Sequence, residues 1–417
     1  MQEVVYLFSV ITLGVSLVVL YVAARIAWLM RTSVTETPPS APYLPKAAVI
    51  LSIRGGDPYL LQLLESLAHL DYPDYQVHVI VDNAEDPEWE LVKKIAERSP
   101  HIFIPMILES PAPTCGLKNS ALIQGVERSA TDREVFAFVD ADAHIYPGWL
   151  RELVQPLQDS GVGASTGNRW YMPSDGRFGS LVRYFWNAAG VGYMWLFDIA
   201  WGGSMAIKRS AIDRADLLNI WRNSLTDDTP VAPALQSQGL TQAFAPLVIV
   251  VNRESMNVRQ FLRWGARQTL MSRLYTPQWP LIVLQILLQC AWRLFAPLFA
   301  LALALNNSDL WLPVIVTESF YWASIAVAAI VMETAVRNVL RNRDDQVAWI
   351  SPSHARQIPL ALVATHFIVL CLLITAMRLR RVHWRGIEYT ISPDLRIRMQ
   401  QYRPFYRAQK GDNESIL

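Results

Sequence analysis

Long apolar runs stand at both ends of the chain, and a shorter alternating pattern fills the middle. Residues 4–30 form an almost uncharged apolar run, and three later runs cover residues 280–305, 310–332 and 358–377. Each run is long enough to cross a bilayer as a helix. The pattern therefore predicts an integral, multi-pass membrane protein whose central part folds outside the bilayer.

The charges beside the first run predict its orientation. Arg25 and Arg31 lie at its C-terminal end, so the positive-inside rule places that end in the cytoplasm. A signal peptide is the alternative, but no basic segment precedes the run, which favours an uncleaved anchor. The central domain is then expected to be cytoplasmic.

The later charges do not fit four crossings. If all three C-terminal runs cross, Arg378 and the arginines after it lie outside, although positive charge prefers the inside. One run is therefore expected to be re-entrant or interfacial. Residues 280–305 are the candidate, because Arg293 and Pro297 lie within them and a buried charge is costly in a bilayer.

The central pattern alternates apolar strands with amphipathic helices. Strands are predicted at residues 47–53, 77–81, 102–108 and 135–139, and helices at residues 58–70, 89–98 and 118–129. This alternation is typical of an α/β domain with a mostly parallel sheet. Asp82 and Asp140 follow two of the strands, and ligands of such sheets gather at the strands' carboxyl ends.

A pair of carboxylates, Asp140 and Asp142, ends the fourth predicted strand. Side chains at i and i+2 on a strand point the same way, so both can face one ligand. Hard oxygen ligands suit Mg²⁺ or Mn²⁺, held partly by substrate phosphates. The alternative is a solvated turn after a strand.

Two further segments carry candidate chemistry but also have ordinary explanations. Gly202 and Gly203 form a loop that lets the backbone approach a ligand. Asp227 and Asp228 precede a predicted helix, where acidic residues often serve only as caps or dipole partners.

Residues 161–201 are rich in large aromatic side chains, and their pattern predicts less regular structure. The segment is interpreted either as a core subdomain or as a membrane-facing surface.

The basic stretch 259–273, with apolar residues at helical spacing, predicts an amphipathic helix on the membrane surface. Leu274 and Trp279 are expected at the interface, with Arg267 and Arg273 near lipid headgroups.

Composition narrows the classes of function. Hydrophobic residues make up 52% of the 417 residues and charged residues 18%, as in membrane proteins. The net charge of +1 gives no basic field for nucleic acid. The three cysteines are widely separated, so neither a disulfide framework nor a zinc site is indicated.

Taken in order, these motifs resemble those of the membrane-bound family-2 glycosyltransferases with the GT-A fold, and most of all the ceramide glucosyltransferase group. The resemblance covers about residues 49–389 and includes the motif Gln260-x-x-Arg263-Trp264 just before the apolar runs. Its other marks are Asp82, Lys118 within Leu117-Lys118-Asn119-Ser120, Asp140-Ala141-Asp142, the Gly-Gly loop with Gly203, Asp227-Asp228 and Trp384-Arg385-Gly386.

The resemblance implies a role for each matching residue. Asp82, Lys118, Asp140, Gly203 and Asp227 would bind the donor, and Asp82 would hold the uridine. The metal ion, Mn²⁺ or Mg²⁺, would be placed by Asp140 and Asp142. Asp228 would be the general base, and Gln260, Arg263 and Trp264 would close over the diphosphate and the sugar. Asp227 stands where the family usually has Glu, a change expected to matter little.

The resemblance implies an inverting, metal-dependent hexosyltransferase, because one base and direct attack invert the anomeric centre. The donor would be UDP-glucose or UDP-galactose, and the acceptor a membrane lipid such as ceramide or diacylglycerol. A processive polysaccharide synthase and a non-catalytic membrane binding protein on the same fold are the alternatives.

The predicted fold is a GT-A, Rossmann-like α/β domain between an N-terminal transmembrane helix and C-terminal transmembrane helices. Its predicted parts are an anchor (1–31), a linker (32–45), the cytoplasmic glycosyltransferase domain (46–258), the interfacial helix (259–279), the C-terminal membrane segments (280–378) and a cytoplasmic tail (379–417).

Overall fold

The structure is a computed structural model that describes residues 2–35, 42–173, 175–343, 345, 347 and 352–405. Part of the predicted linker (36–41) and the end of the predicted tail (406–417) lie outside the described residues.

A seven-stranded mixed sheet forms the centre of the α/β domain, in the order β3-β2-β1-β4-β6-β5-β7. Only β6 runs against its neighbours. Every residue of β4 is buried, as expected for a strand covered on both faces. The strands are β1 (Ala47–Ile53), β2 (Tyr75–Val81), β3 (Phe103–Ile107), β4 (Val135–Val139), β5 (Val162–Tyr171), β6 (Ser204–Lys208) and β7 (Thr241–Asn252).

The helices either cover this sheet or extend from it. Those of the domain are α2 (Leu60–Leu67), α3 (Trp89–Arg98), α4 (Leu117–Arg128), α5 (Trp149–Val154), α6 (Phe178–Leu196), α7 (Arg209–Arg214), α8 (Leu217–Trp221), α9 (Val231–Gln236) and α10 (Val258–Tyr275). A 3₁₀ turn spans Gln155–Gln158. The four longest apolar helices are α1 (Gln2–Thr35), α11 (Trp279–Leu305), α12 (Trp311–Asn342) and α13 (Pro352–Arg378).

The predicted fold class is confirmed, since an α/β domain lies between an N-terminal and several C-terminal apolar helices. The ranges predicted for β1, α3 and β4 agree with the structure. The expectation of irregular structure over residues 161–201 is wrong, because β5 and α6 occupy most of it. Its aromatic side chains pack at helical and strand spacing between the sheet and the apolar helices.

Three of the long helices run between two levels of the molecule. At one level, Val5 of α1 packs with Leu303 of α11 and Val314 of α12. At the other, α1 and α12 pack against the α/β domain, where Arg343 donates to the carbonyl oxygens of Leu247 and Ile249. The helices α1, α11 and α12 thus form a bundle that projects from the domain.

α13 follows a different course, because both of its ends contact the α/β domain. Near its start, Gln357 donates to the carbonyl oxygen of Gly176 over 3.1 Å. Near its end, the carbonyl oxygen of Ala376 accepts from Arg273 of α10 over 2.8 Å. The helix therefore lies along α6 and α10, and its middle also contacts α11 and α12 through His366. This geometry makes α13, rather than residues 280–305, the candidate for a segment that does not cross.

α10 is packed into the domain, and part of the expected membrane contact is wrong. Leu270 is fully buried, and Leu274 packs against the same core. Arg267 faces the interior, where its guanidinium lies 5.3 Å from the centroid of the Trp384 ring. Arg273 bonds to α13, as described above. The apolar face of α10 is core because α13 and the C-terminal residues cover it, which its periodicity alone could not show.

The residues after α13 fold back onto the α/β domain. They form a three-stranded antiparallel sheet of β8 (Arg381–Trp384), β9 (Ile387–Ile391) and β10 (Ile397–Met399). The hydroxyl of Tyr389 accepts a hydrogen bond from the backbone N–H of Leu117 at the start of α4, over 3.0 Å. This small sheet forms one wall of the cleft described next.

Candidate active site

A cleft of about 630 Å³ opens at the carboxyl edge of the large sheet. The predicted site residues that line it are Asp82, Lys118, Asp140, Asp142, Asp227, Asp228 and Trp264. The fold thus brings together side chains from five parts of the chain, including the tips of β2 and β4, where the ligands of such sheets gather. Gly203 packs beside them, and its backbone oxygen accepts from the N–H of Asp140 over 3.4 Å.

Lys118 connects two of the acidic segments. Its Nζ lies 2.7 Å from Asp140 Oδ1 and 3.0 Å from Asp227 Oδ2. Burial alone would lower the pKa of Lys118, but Asp140 and Asp227 outweigh it and raise that pKa. Lys118 is therefore a fixed cation that ties the tip of β4 to the Asp227 loop.

The glycine loop is required by the close packing around this lysine. A Cβ at Gly202 would collide with the carboxylate of Asp227, and a Cβ at Gly203 with Trp201 and with Asp140. Glycine is thus the residue that lets β6 begin this close to two carboxylates.

Asp142 is the cleft carboxylate without a protein partner. Its side chain makes no hydrogen bond or ion pair with another described residue. Burial raises the pKa of Asp142 to about 6, and Asp140 adds to the rise, while Arg169 and Arg385 act against it. A buried carboxylate beside a second one is a poor arrangement without a cation, so this pair fits a divalent metal ion.

The fit is incomplete by protein ligands alone. No group of three or more His, Cys, Asp or Glu side chains suited to a metal occurs among the described residues. Two carboxylates would then supply part of the coordination, as is common for Mg²⁺ sites that also use substrate phosphates.

Asp228 is held in one orientation by four hydrogen bonds. Its Oδ1 accepts from the Thr226 hydroxyl (2.7 Å) and from the backbone N–H (2.6 Å) and hydroxyl (3.0 Å) of Thr229. Its Oδ2 accepts from the N–H of Gly202 over 3.0 Å. Asp228 remains partly exposed to the cleft, whereas Asp227 is buried and burial raises the pKa of Asp227 to about 6. Of the two, Asp228 is the carboxylate that a substrate can reach.

The motif on α10 is only partly directed into the cleft. Trp264 lines it, but Gln260 forms a capping box with Asn257 at the start of the helix. Arg263 is exposed and does not line the cleft. One helical turn later, Arg267 faces the cleft in its place.

Besides Arg183, four arginines that line the cleft were missed by the sequence reasoning or given another role. Arg169 lies among three aromatic rings, 5.1 Å from the centroid of Tyr171, 5.2 Å from Trp201 and 5.7 Å from Trp264. Neither Arg169 nor Arg267 forms an ion pair with a described residue. Burial lowers the pKa of Arg267 to about 10, and Arg385 and Arg169 contribute. The other two, Arg54 and Arg385, bond to each other's backbone.

This arrangement leaves cations without carboxylate partners on one side of the Asp140–Asp142 pair. Uncompensated guanidinium groups in a buried cleft favour an anionic ligand with several oxygens. The sequence could not predict that Arg169 is buried among aromatic rings, because residues 169, 201 and 264 are far apart in the chain.

Comparison with known proteins assigns a family. A family model described as glycosyl transferase family 21 matches residues 4–397, which is most of the chain. Curated hyaluronan synthases of Streptococcus pyogenes are 32% identical over 123 residues, a segment covering 29% of this chain and 29% of the relative. The match thus spans less than a third of the length of these relatives.

Solved structures show more distant likeness. A mannosyltransferase from Pyrobaculum calidifontis, in complex with GDP-Man and Mn²⁺, has a TM-score of 0.47 and 17% identity, covering 90% of this chain and 98% of that one. A glucosyl-3-phosphoglycerate synthase from Mycobacterium tuberculosis, with Mn²⁺ and UDP-glucose, has a TM-score of 0.35 and 12% identity, covering 56% and 79%. The family match carries the assignment.

Proposed function

This chain belongs to glycosyl transferase family 21, and from that premise we propose that it transfers one hexose from a UDP-sugar to the hydroxyl group of a membrane lipid. The reaction inverts the sugar C1 and uses Mn²⁺ or Mg²⁺. The donor is UDP-glucose or UDP-galactose, and the acceptor is ceramide, diacylglycerol or a similar lipid. The sequence resemblance named family 2 and, within it, the ceramide glucosyltransferase group, whereas the family model that matches the chain is that of family 21.

The observation that carries the proposal is the distribution of carboxylates in the cleft. Asp142 has no ion-pair partner among the described residues and lies beside Asp140, which pairs with Lys118, so the two carboxylates suit a metal–diphosphate. Asp228 is a separate, oriented and accessible carboxylate. A transferase of this kind needs both, one group of charges for the leaving diphosphate and one base for the acceptor.

The base is assigned to Asp228. Its four hydrogen bonds fix the carboxylate, so that it can accept the proton of an acceptor hydroxyl as the oxygen attacks the sugar C1. Asp227 instead supports Lys118, which in turn orients Asp140.

The metal ion would be held by Asp140 and Asp142, with Asp142 the more direct ligand because Asp140 also pairs with Lys118. When bound, the ion stabilises negative charge on the departing diphosphate. Arg267 and Arg385 lie on the same side of the cleft and offer charge-assisted hydrogen bonds to phosphate oxygens. A role for Gln260 and Arg263 requires the first two turns of α10 to move.

The acceptor is proposed to enter from the apolar side of the cleft. Tyr171 and Trp264 line the cleft and also belong to an apolar cluster that includes Ala361 and Leu372 of α13. The hydroxyl group of a lipid could therefore reach Asp228 while the hydrocarbon chains of that lipid remain against α6 and α13. This supports a lipid acceptor over a soluble sugar.

Incubation of the purified protein in lipid nanodiscs with labelled UDP-glucose or UDP-galactose tests the proposal. We expect a lipid-extractable monoglycoside, lost in chelator and restored by Mn²⁺ or Mg²⁺. A labelled polymer would instead support a processive synthase, the activity named for the curated relatives. No turnover with either donor would favour a non-catalytic binding protein, and full turnover in chelator would remove the metal from the mechanism.

A further inference from the structure

Asp82 is covered by the end of the described chain. Its side chain is almost fully buried, and its oxygens already have partners. Oδ2 accepts from the backbone N–H of Phe405 over 2.8 Å, from Asn83 Nδ2 over 3.1 Å and from Arg54 Nη1. Oδ1 accepts from the hydroxyl of Tyr402 over 3.2 Å. In this state a donor base cannot bond to Asp82.

The covering residues follow β10 and belong to no strand or helix. We call residues 401–405 the strap. Arg54 Nη2 donates to the carbonyl oxygen of Arg403 over 2.8 Å, and the Arg54 guanidinium lies 5.7 Å from the centroid of the Phe405 ring. The ring packs on Gly55, whose φ of +71° and lack of a Cβ leave room for it.

The backbone of Phe405 presents a particular pattern to the site. Its N–H donates to Asp82, and its C=O accepts from Asn83 Nδ2 over 3.2 Å. Uracil presents the same pair of groups, because its N3–H donor stands next to a carbonyl acceptor on one edge of the ring. The Phe405 ring adds an aromatic face beside Arg54, as a base would.

We propose that the strap is an internal ligand of the nucleobase subsite, which copies the hydrogen-bonding edge of uracil and is displaced by the base of the donor. This inference rests on the proposed UDP-sugar function and adds a regulation of the same site. Donor binding then has to release three hydrogen bonds of the strap before Asp82 and Asn83 can bond to the base.

The same pattern defines the class of base that can exchange with the strap. A base must offer an N–H to the carboxylate and a C=O to the amide. Uracil and guanine carry this edge, whereas the corresponding ring nitrogens of cytosine and adenine are acceptors and would face the Asp82 carboxylate. Asp82 and Asn83, which bond to the backbone of Phe405, therefore exclude CDP- and ADP-sugars from the nucleobase subsite.

The phosphate half of the cleft provides an internal control. The strap contacts Asp82, Asn83 and Arg54, but none of the hydrogen bonds of the strap described above involves Lys118, Asp142 or Arg267. Removing the strap should thus alter binding of the base and leave binding of the phosphates alone.

The test compares the full chain with a variant that ends at Gln400, measuring dissociation constants for UDP and for pyrophosphate in Mn²⁺. We expect the variant to bind UDP about tenfold more tightly, because the hydrogen bonds of the strap to Asp82 and Asn83 no longer compete with those of the base. Its affinity for pyrophosphate should stay unchanged. Unaltered or weaker UDP binding by a folded variant would overturn the proposal and make the strap a wall of the site.

Two point variants test the contact without truncation. Phe405→Pro removes the N–H that Asp82 accepts, and Phe405→Ala keeps that N–H while removing the ring. We expect Phe405→Pro to tighten UDP binding at least as much as Phe405→Ala does, and a gain confined to Phe405→Ala would refute the copied edge. If the wild-type protein transfers hexose but no variant gains UDP affinity, only the strap proposal fails. If neither transfer nor UDP binding occurs in any form, the proposed function fails.

Discussion

Charge pairing in the cleft separates the carboxylates that have a cationic partner from those that have none. Asp82 and Asp227 are buried and occupied by Arg54 and Lys118. Asp142 has no described partner, and Asp228 is held only by neutral donors. Asp228 is thus oriented without a cationic partner and can face an acceptor hydroxyl.

Asp228→Asn should lower transfer by about 10²- to 10⁴-fold, the usual contribution of a general base. The amide keeps the shape but cannot take the acceptor's proton, so the dissociation constant for UDP should change little. Initial rates with UDP-hexose and UDP binding together check this. Asp213→Asn, an exposed position on α7, is the matched control. Near wild-type rates for Asp228→Asn would move the base elsewhere, with Asp227 next.

Arg267→Gln should weaken UDP binding and leave uridine binding unaffected. Arg267 faces the cleft without a carboxylate partner, so its loss removes a charge-assisted contact, worth about ten- to a hundredfold in affinity. Arg263→Gln is the control, because Arg263 is exposed and outside the cleft lining. If Arg263→Gln loses UDP affinity and Arg267→Gln does not, α10 binds the donor in another position from the one observed.

At the residue scale, the sequence predicted contacts that are local and missed those that are not. Asp140 and Asp142 could be paired because a strand places i and i+2 on one side. Arg54 and Arg385 could not, because their mutual hydrogen bonds join residues 331 positions apart. Their contact depends on how α13 returns the chain to the domain, which no local pattern encodes.

At the scale of elements, α10 shows that an amphipathic pattern does not determine whether the apolar face of a helix packs on a membrane or on the protein core. The helix has an apolar face and a basic face, as a membrane-surface helix would. Its apolar face instead meets Leu117, Trp221 and Tyr389 in the core. Periodicity thus predicted a helix here, but the surface that packs on it is set by elements distant in the chain.

Leu270→Ala should lower the free energy of unfolding by about 2–5 kcal/mol, since the side chain is fully buried and its removal leaves a cavity. Thermal unfolding in detergent checks this. Leu287→Ala is the control, because Leu287 is 44% exposed on α11 and borders no such cavity. The more drastic Leu270→Asp should reduce lipid transfer and donor hydrolysis together. Loss of lipid transfer alone would restore the membrane-docking role.

At the scale of the whole molecule, the positive charges lie at one level. Arg31 lies four residues before the end of α1, Arg341 lies near the end of α12, and Arg378 ends α13, all at the level of the α/β domain. The opposite level, where α11 ends and α12 begins, carries Asp309 and no arginine or lysine between residues 294 and 336. Three crossings, by α1, α11 and α12, satisfy this asymmetry, whereas four would not.

Accessibility of single cysteines in intact spheroplasts tests this topology. In a background without Cys115, Cys290 and Cys371, Asn307→Cys lies in the turn between α11 and α12, and Asp394→Cys lies between β9 and β10. We expect an impermeant thiol reagent outside spheroplasts to label Asn307→Cys only. Asp394→Cys should react only after lysis, as should Asp213→Cys in the α/β domain. Labelling of Asp394→Cys in intact spheroplasts would show that α13 crosses. It would also contradict the contact between Tyr389 and Leu117, because a β-sheet on the outer side of the membrane cannot contact a cleft on the cytoplasmic side.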